Sequence, residues 1–206
     1  MFIQVIKVPV SDRDGWKAAL DGWITEVGPG ATGWLGSTGG VTDDGLAVLT
    51  ARYETKAQAD ANRDRPEHVG WLERSAKYVS GEAVVKDSTS VWVDLVGDPD
   101  TAEFVQVIEG RVSDTERMME IGDRDRAAWG RFRPEILGSV AVVHEGGEYT
   151  MFLYFTNEPD AREGEKKPIP PELADQAAEM NSLDVGEPTF YDLRAPHMVT
   201  SQLGAS

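Results

Sequence analysis

Two amides sit where an amide is hard to keep. Gln4 lies inside Phe2-Ile3-Gln4-Val5-Ile6 and Gln106 inside Phe104-Val105-Gln106-Val107-Ile108, runs that are otherwise apolar. A buried amide without a partner is costly, so each glutamine calls for either a hydrogen bond across a sheet or a ligand oxygen such as a phenolate. His68 and Trp71 stand three residues apart and, with Leu72, share one face of a helix, where an imidazole can act as base, ligand or packing group. Asp125 continues the apolar stripe of Met118 and Ile121 and approaches Trp129 and Phe132. A carboxylate on that side is a candidate base or substrate anchor, unless Arg131 or Arg133 pairs with it or the helix is rotated to expose it. Trp34, Tyr53, Trp71, Tyr154 and Tyr191 could wall a flat cavity, although aromatic residues on strands also fill cores.

Other chemistries are excluded or unsupported. The chain has no cysteine, which removes disulfides, thiolate nucleophiles and Cys-ligated metals. Its three histidines, His68, His144 and His197, are scattered with no H-x-x-x-H or H-x-E spacing, so no metal site is expected. Gly33, Gly36, Gly39 and Gly40 crowd a turn without forming a dinucleotide or P-loop fingerprint, and no nucleophile elbow is present. With 36 acidic and 20 basic residues among 206, the net charge of −16 repels nucleic acid and anionic membrane surfaces. No apolar run approaches the ~20 residues of a membrane span, and the amino terminus reads as a strand rather than a leader. A cytoplasmic protein is expected.

The elements that must hold these residues occur twice. An offset of 102 residues, the separation of Phe2 from Phe104, also carries Val10-Ser11-Asp12 onto Val112-Ser113-Asp114 and Leu35-Gly36-Ser37 onto Leu137-Gly138-Ser139. Each copy reads as strand, helix, hairpin, helix, strand. Ser11 and Ser113 are expected to cap the first helices, and Trp16, Leu20, Trp23, Ile24 and Val27 mark a buried stripe that Gly28-Pro29-Gly30 ends. Thr42-Asp43-Asp44-Gly45 and His144-Glu145-Gly146-Gly147 are the hairpin turns. A second helical stretch runs from about 55 to 79 with a break near Pro66, and Val91–Leu95 and Thr189–Leu193 are the closing strands. The expected fold is α+β, two ferredoxin-like (βαββαβ) repeats forming an intramolecular dimeric α/β barrel, with repeats at 1–96 and 102–206 and a linker at 97–101.

The stretch from Ala51 to His68, a strand with Arg52 and Tyr53 leading into the Ala-rich Lys56-Ala57-Gln58-Ala59-Asp60-Ala61 and then Pro66-Glu67, resembles the antibiotic biosynthesis monooxygenase-like domains of the dimeric α/β barrel superfamily. The resemblance implies a cavity between sheet and helices in each unit. It implies activities that range from cofactor-free oxygenation of phenols to haem degradation, beside members with no catalytic role. In the haem-degrading branch a strand amide, a tryptophan and an axial histidine cooperate; Gln4, Trp71 and His68 fall at comparable places, with Gln for Asn and a different spacing.

The leading expectation is a small-molecule oxygenase acting on a planar aromatic substrate, with Gln4, Gln106, His68 and Asp125 as candidate catalytic groups. It would work without a cofactor or with haem. The competing expectation is a non-catalytic binder or a scaffold whose cavities are filled by side chains. An internal pseudo-dimer predicts a monomer or at most a weak homodimer.

Overall fold

A computed structural model describes residues 1–200. The chain forms two compact units, Met1–Thr89 joined by the chain from Leu193, and Ser90–Asp192. Each is a five-stranded antiparallel sheet with helices, an α+β fold built on a repeated ferredoxin-like order. Among the described residues no helix is long and apolar enough to cross a membrane.

In the first unit β1 (Phe2–Pro9) leads to α1 (Arg13–Gly22), which passes into a π turn at Trp23–Val27 and a 3₁₀ turn at Gly28–Gly30. β2 (Trp34–Val41) and β3 (Leu46–Tyr53) make the hairpin. Two helices come next, α2 (Lys56–Arg63) and α3 (Pro66–Ser75), and then β4 (Val84–Ser88). The second unit opens with β5 (Ser90–Leu95) and repeats the order: β6 (Phe104–Arg111), α4 (Thr115–Asp123), α5 (Arg126–Phe132), β7 (Ile136–Val143), β8 (Glu148–Phe155), α6 (Glu158–Glu165), α7 (Pro171–Ser182) and β9 (Thr189–Arg194). β10 (His197–Val199) returns to the first sheet. The strand orders are β10-β2-β3-β1-β4 and β5-β7-β8-β6-β9.

Two local expectations are corrected. Val91–Leu95 does not pair with β1; β4 does, in register from Ile3 with Ser88 to Lys7 with Val84, while β5 pairs with β7. β4 was hard to see because its valines, Val84 and Val85, are half exposed and it ends in Lys86-Asp87-Ser88, the charged habit of an edge strand. The helix caps are Asp12 and Asp114 rather than the serines. Each carboxylate accepts the amide three residues on, from Gly15 and Arg117, both at 2.9 Å. Ser11 and Ser113 instead donate to the carbonyls of Tyr78 and Leu183, each at 3.2 Å, tying the helix entry to the end of the second helical stretch.

A β-bulge at Leu35 decides which way Trp34 faces. Trp34 pairs with Tyr53 but Gly36 pairs with Arg52, so one extra residue lies on β2. Strict alternation back from Ser37, which opposes Ala51, would turn Trp34 to the other face; the bulge returns it to the face that Tyr53 and Ala51 share. Gly36, with φ of 130°, supplies backbone freedom there. β7 carries the same irregularity between Ile136 and Gly138.

Candidate functional site

The first unit encloses a cavity of about 700 Å³ between its sheet and helices. Gln4, Ile6 and Val8 of β1 and Leu49, Ala51 and Tyr53 of β3 form its floor, as alternation along paired strands requires. Asp87 and Val85 of β4 continue that floor to the sheet edge, and Trp34 closes the other side. Trp16, Leu20 and Trp23 from the first helix and His68, Trp71 and Leu72 from α3 make the roof. Leu72 and Val85, 46% and 49% exposed, mark the rim.

Four of the six tryptophans of the chain line this one space, and their rings are continuous. Trp34 meets Trp23 edge-on at 5.1 Å; Trp23 stands perpendicular to His68 at 6.2 Å. His68 stacks on Trp71 at 6.0 Å, and Trp71 tilts against Trp16 at 5.9 Å. Such a wall favours a flat ligand, since offset and edge contacts with a planar ring add to simple area burial.

Hydrogen bonds fix the polar groups in this wall. The Trp23 Nε1 donates to His68 Nδ1 at 3.0 Å, and the Trp71 Nε1 donates to the Ala19 carbonyl at 2.7 Å. Asn62, which is buried, donates to the Tyr53 hydroxyl at 2.8 Å and accepts from Arg65 at 2.9 Å. Burial raises the Tyr53 phenol to about 12, against smaller lowering effects of Asn62 and Arg65. Burial, helped by the Arg65 charge, lowers His68 below the ordinary imidazole value. The Trp34 Nε1 is buried and has no acceptor among the described residues. Gln4 donates to Asp87 Oδ1 at 3.0 Å, and Lys56 approaches Asp87 at 3.5 Å.

The structure brings Gln4, His68, Trp34, Tyr53 and Trp71 to this one cavity. It does not bring the others there. Gln106 is buried in the second unit with its amide on Asp192 at 3.2 Å. Asp125 is exposed, a correction to its expected place on the buried stripe: α4 ends at Asp123, and Asp125 adopts φ of 50° as the chain turns into α5. Tyr154 opposes Val105 and is fully buried on the face of the sheet away from Gln106. Tyr191 donates to Glu109 at 3.2 Å on that same far face. The residues that sequence reasoning missed are Trp23 as the partner of His68, and Asn62 with Arg65 behind Tyr53. The pattern Tyr53, Asn62, Arg65 carried no recognisable signature, because its three members meet only after the turn from β3 into α2.

Haem does not fit the residues at the places the resemblance suggests. An indole N–H can only donate, so His68 offers its Nδ1 lone pair to Trp23 and carries its hydrogen on Nε2. Binding iron through Nε2 would break that bond. Among the described residues no cluster of three or more His, Asp and Glu side chains is placed to hold a metal ion.

The second unit has a cavity of about 310 Å³, lined by Ile121, Trp129, Ile169 and Gln176 among others. Phe104, Phe155 and Ala161 pack together beneath α6. Arg133 pairs with the buried Glu135, and both side chains press on Gly164, where a Cβ would come within 2.5 Å of Arg133 Nε.

Solved structures share this fold over nearly the whole chain. No protein-family model matches the sequence, and no curated protein matches it. Among solved structures it is similar to a candidate monooxygenase from Lactobacillus acidophilus NCFM, with a TM-score of 0.71 and 14% identity over 93% of this chain and 92% of that one. It is similar to a candidate monooxygenase from Fusobacterium nucleatum subsp. nucleatum ATCC 25586, with a TM-score of 0.73 and 10% identity over 97% and 94%. An anthrone oxidase-like protein gives 0.67 and 8% over 100% and 96%. At these identities the likeness is one of fold.

Proposed function

We propose that the first unit is a small-molecule oxygenase that acts, without a resident cofactor, on a planar aromatic substrate held between its sheet and helices. The observation that carries this reading is the continuous aromatic wall around about 700 Å³ of the first unit. A volume of that size accommodates a fused-ring molecule. The similar structures include proteins described as monooxygenases and as anthrone oxidase-like, which supports the same class of chemistry.

In oxygenation of an activated ring methylene, one atom of O₂ becomes a carbonyl oxygen and the other leaves as water with the two displaced hydrogens. The substrate itself supplies the electrons. The protein's part is to hold the electron-rich ring in a space from which water is excluded. A second reading, binding without catalysis, is favoured by one observation: the Gln4 amide is already hydrogen-bonded to Asp87.

A titration with tricyclic phenols and anthrones, followed by tryptophan fluorescence and by oxygen uptake, separates the two. Quenching with one O₂ consumed per carbonyl formed supports the oxygenase. Quenching without oxygen uptake leaves the binder, and no quenching by any flat polycycle defeats both.

A further inference from the structure

Donors and acceptors on the wall of the first cavity are unequal, and two obligate donors behind it show why. Because the Trp23 indole can only donate, His68 Nε2 carries the ring hydrogen, and among the described residues no protein group accepts it. Because the Arg65 guanidinium can only donate, Asn62 turns its oxygen to Arg65 and its NH₂ to Tyr53. The Tyr53 oxygen is therefore an acceptor toward Asn62, and its own hydrogen is left for the cavity. The Trp34 N–H also lacks an acceptor among the described residues, but it is shut off from the open space of the cavity. These assignments rest on the chemistry of Trp and Arg and do not depend on seeing hydrogens.

The acceptors lie elsewhere. Strand order puts Trp34 and Tyr53 on β2 and β3, and Gln4 with Asp87 on β1 and the edge strand β4. Asp87, exposed, already receives Gln4 and faces Lys56. Ser37 directs its hydroxyl to the Thr50 carbonyl at 2.7 Å.

Resting on the reading of this cavity as an aromatic site, we infer that it takes its ligand as an oxyanion, a phenolate or enolate whose oxygens are received by Tyr53 and His68. The ligand's proton goes to water before the ring is seated, and the wall supplies hydrogen bonds rather than a base. A phenol held near 12 keeps its hydrogen, and an imidazole kept neutral by burial stays an N–H donor. The Arg65 charge behind Asn62 strengthens the chain of donors that ends at Tyr53.

The test uses 1,2-dihydroxyanthraquinone, whose neutral and anionic forms differ in visible colour, beside its dimethyl ether, which is equally flat and cannot ionise. With the full chain in excess, the bound dye is expected to show the anion band at pH values where the free dye is neutral. An apparent dye pKa lowered by at least about one unit corresponds to the anion binding at least tenfold tighter. Tyr53→Phe is expected to remove most of that shift, and His68→Gln part of it, with thermal melts reporting that both fold. A dye that binds in its neutral colour, or a shift that survives both substitutions, overturns the inference while the aromatic-site reading stands. If neither dye nor ether quenches tryptophan fluorescence, that reading falls too.

Discussion

The two repeats share a frame and differ where a ligand would sit. Gln4 on Asp87 is matched by Gln106 on Asp192. Lys56 over the Phe2 ring at 5.4 Å is matched by Arg162 over Phe104 at 5.2 Å, and Arg162 also pairs with Asp192 as Lys56 does with Asp87. Caps and bulges recur as well. At the same offset of 102, however, Trp23 becomes Asp125, Trp34 becomes Ile136, Tyr53 becomes Phe155 and Asn62 becomes Gly164, and at the offset of 105 that carries α3 onto α7, Pro66 onto Pro171, His68 becomes Leu173 and Trp71 becomes Gln176. Ala31 and Gly33 become Arg133 and Glu135, whose ion pair rests on Gly164. A polar cluster present in both copies, including the one without the aromatic wall, belongs to the architecture. The groups that change are those that line the first cavity.

That division can be broken most forcefully at Tyr53 and Phe155. Phe155 is 1% exposed and packs on Phe104 at 5.7 Å, so Phe155→Ala is expected to cost about 3–5 kcal/mol in urea unfolding. Tyr53→Phe removes one hydrogen bond and is expected to cost only about 1 kcal/mol. A cost at Tyr53→Phe approaching that of Phe155→Ala would mean that the hydroxyl is a structural group of the first repeat rather than one left for a ligand. Next in size is Trp23→Phe, which frees His68 Nδ1 and lets the imidazole turn or change tautomer. A stability loss of about 1 kcal/mol is expected, together with roughly tenfold weaker binding of a flat phenolate by fluorescence titration. Unchanged affinity would remove His68 from the ligand's shell.

Acid sharpens the contrast because only the first repeat places a histidine in its wall. His68 has a lowered value in the folded chain, so the unfolded chain binds the proton more readily. Its contribution to stability is therefore present above the unfolded imidazole value of about 6.5 and is lost as pH falls through that value toward the folded one. His197, lowered by burial against the opposing effect of Asp21, acts in the same direction. Melting temperature should fall between about pH 7.5 and pH 5.5, and His68→Gln should flatten that slope. An unaltered slope would assign the whole effect to His197.

The fold was largely legible, and the site only in part, for physical reasons. Periodicity and the 102-residue echo report backbone pairing and core burial, which both copies retain. Gln4, His68 and Trp71 stood out because they break or interrupt those patterns. Asp125 misled because a stripe extrapolated past Asp123 assumes an unbroken helix, and the φ of 50° at Asp125 ends it. Trp34 faces Tyr53 through a bulge that composition does not announce. The Trp23–His68 and Arg65–Asn62–Tyr53 contacts join separate elements, so spacing along the chain carries no trace of them.

The smallest expected effects come from the repeated amide–carboxylate pairs. Asp87 has a side chain 39% exposed and Asp192 one 28% exposed, and each faces one amide and one cation. Partly exposed ion pairs contribute about 0–1 kcal/mol, so Asp87→Asn should cost little and Asp192→Asn slightly more, in proportion to burial. If both pairs are architecture, the two substitutions should move melting temperature in parallel and change phenolate affinity by less than about twofold. Asp87 also lies on the cavity floor, which makes the pair diagnostic. Should Asp87→Asn alone abolish binding or oxygen uptake while Asp192→Asn only shifts the melt, the first repeat has turned an inherited sheet contact into a proton acceptor, and the wall would then hold the base that its donors otherwise make unnecessary.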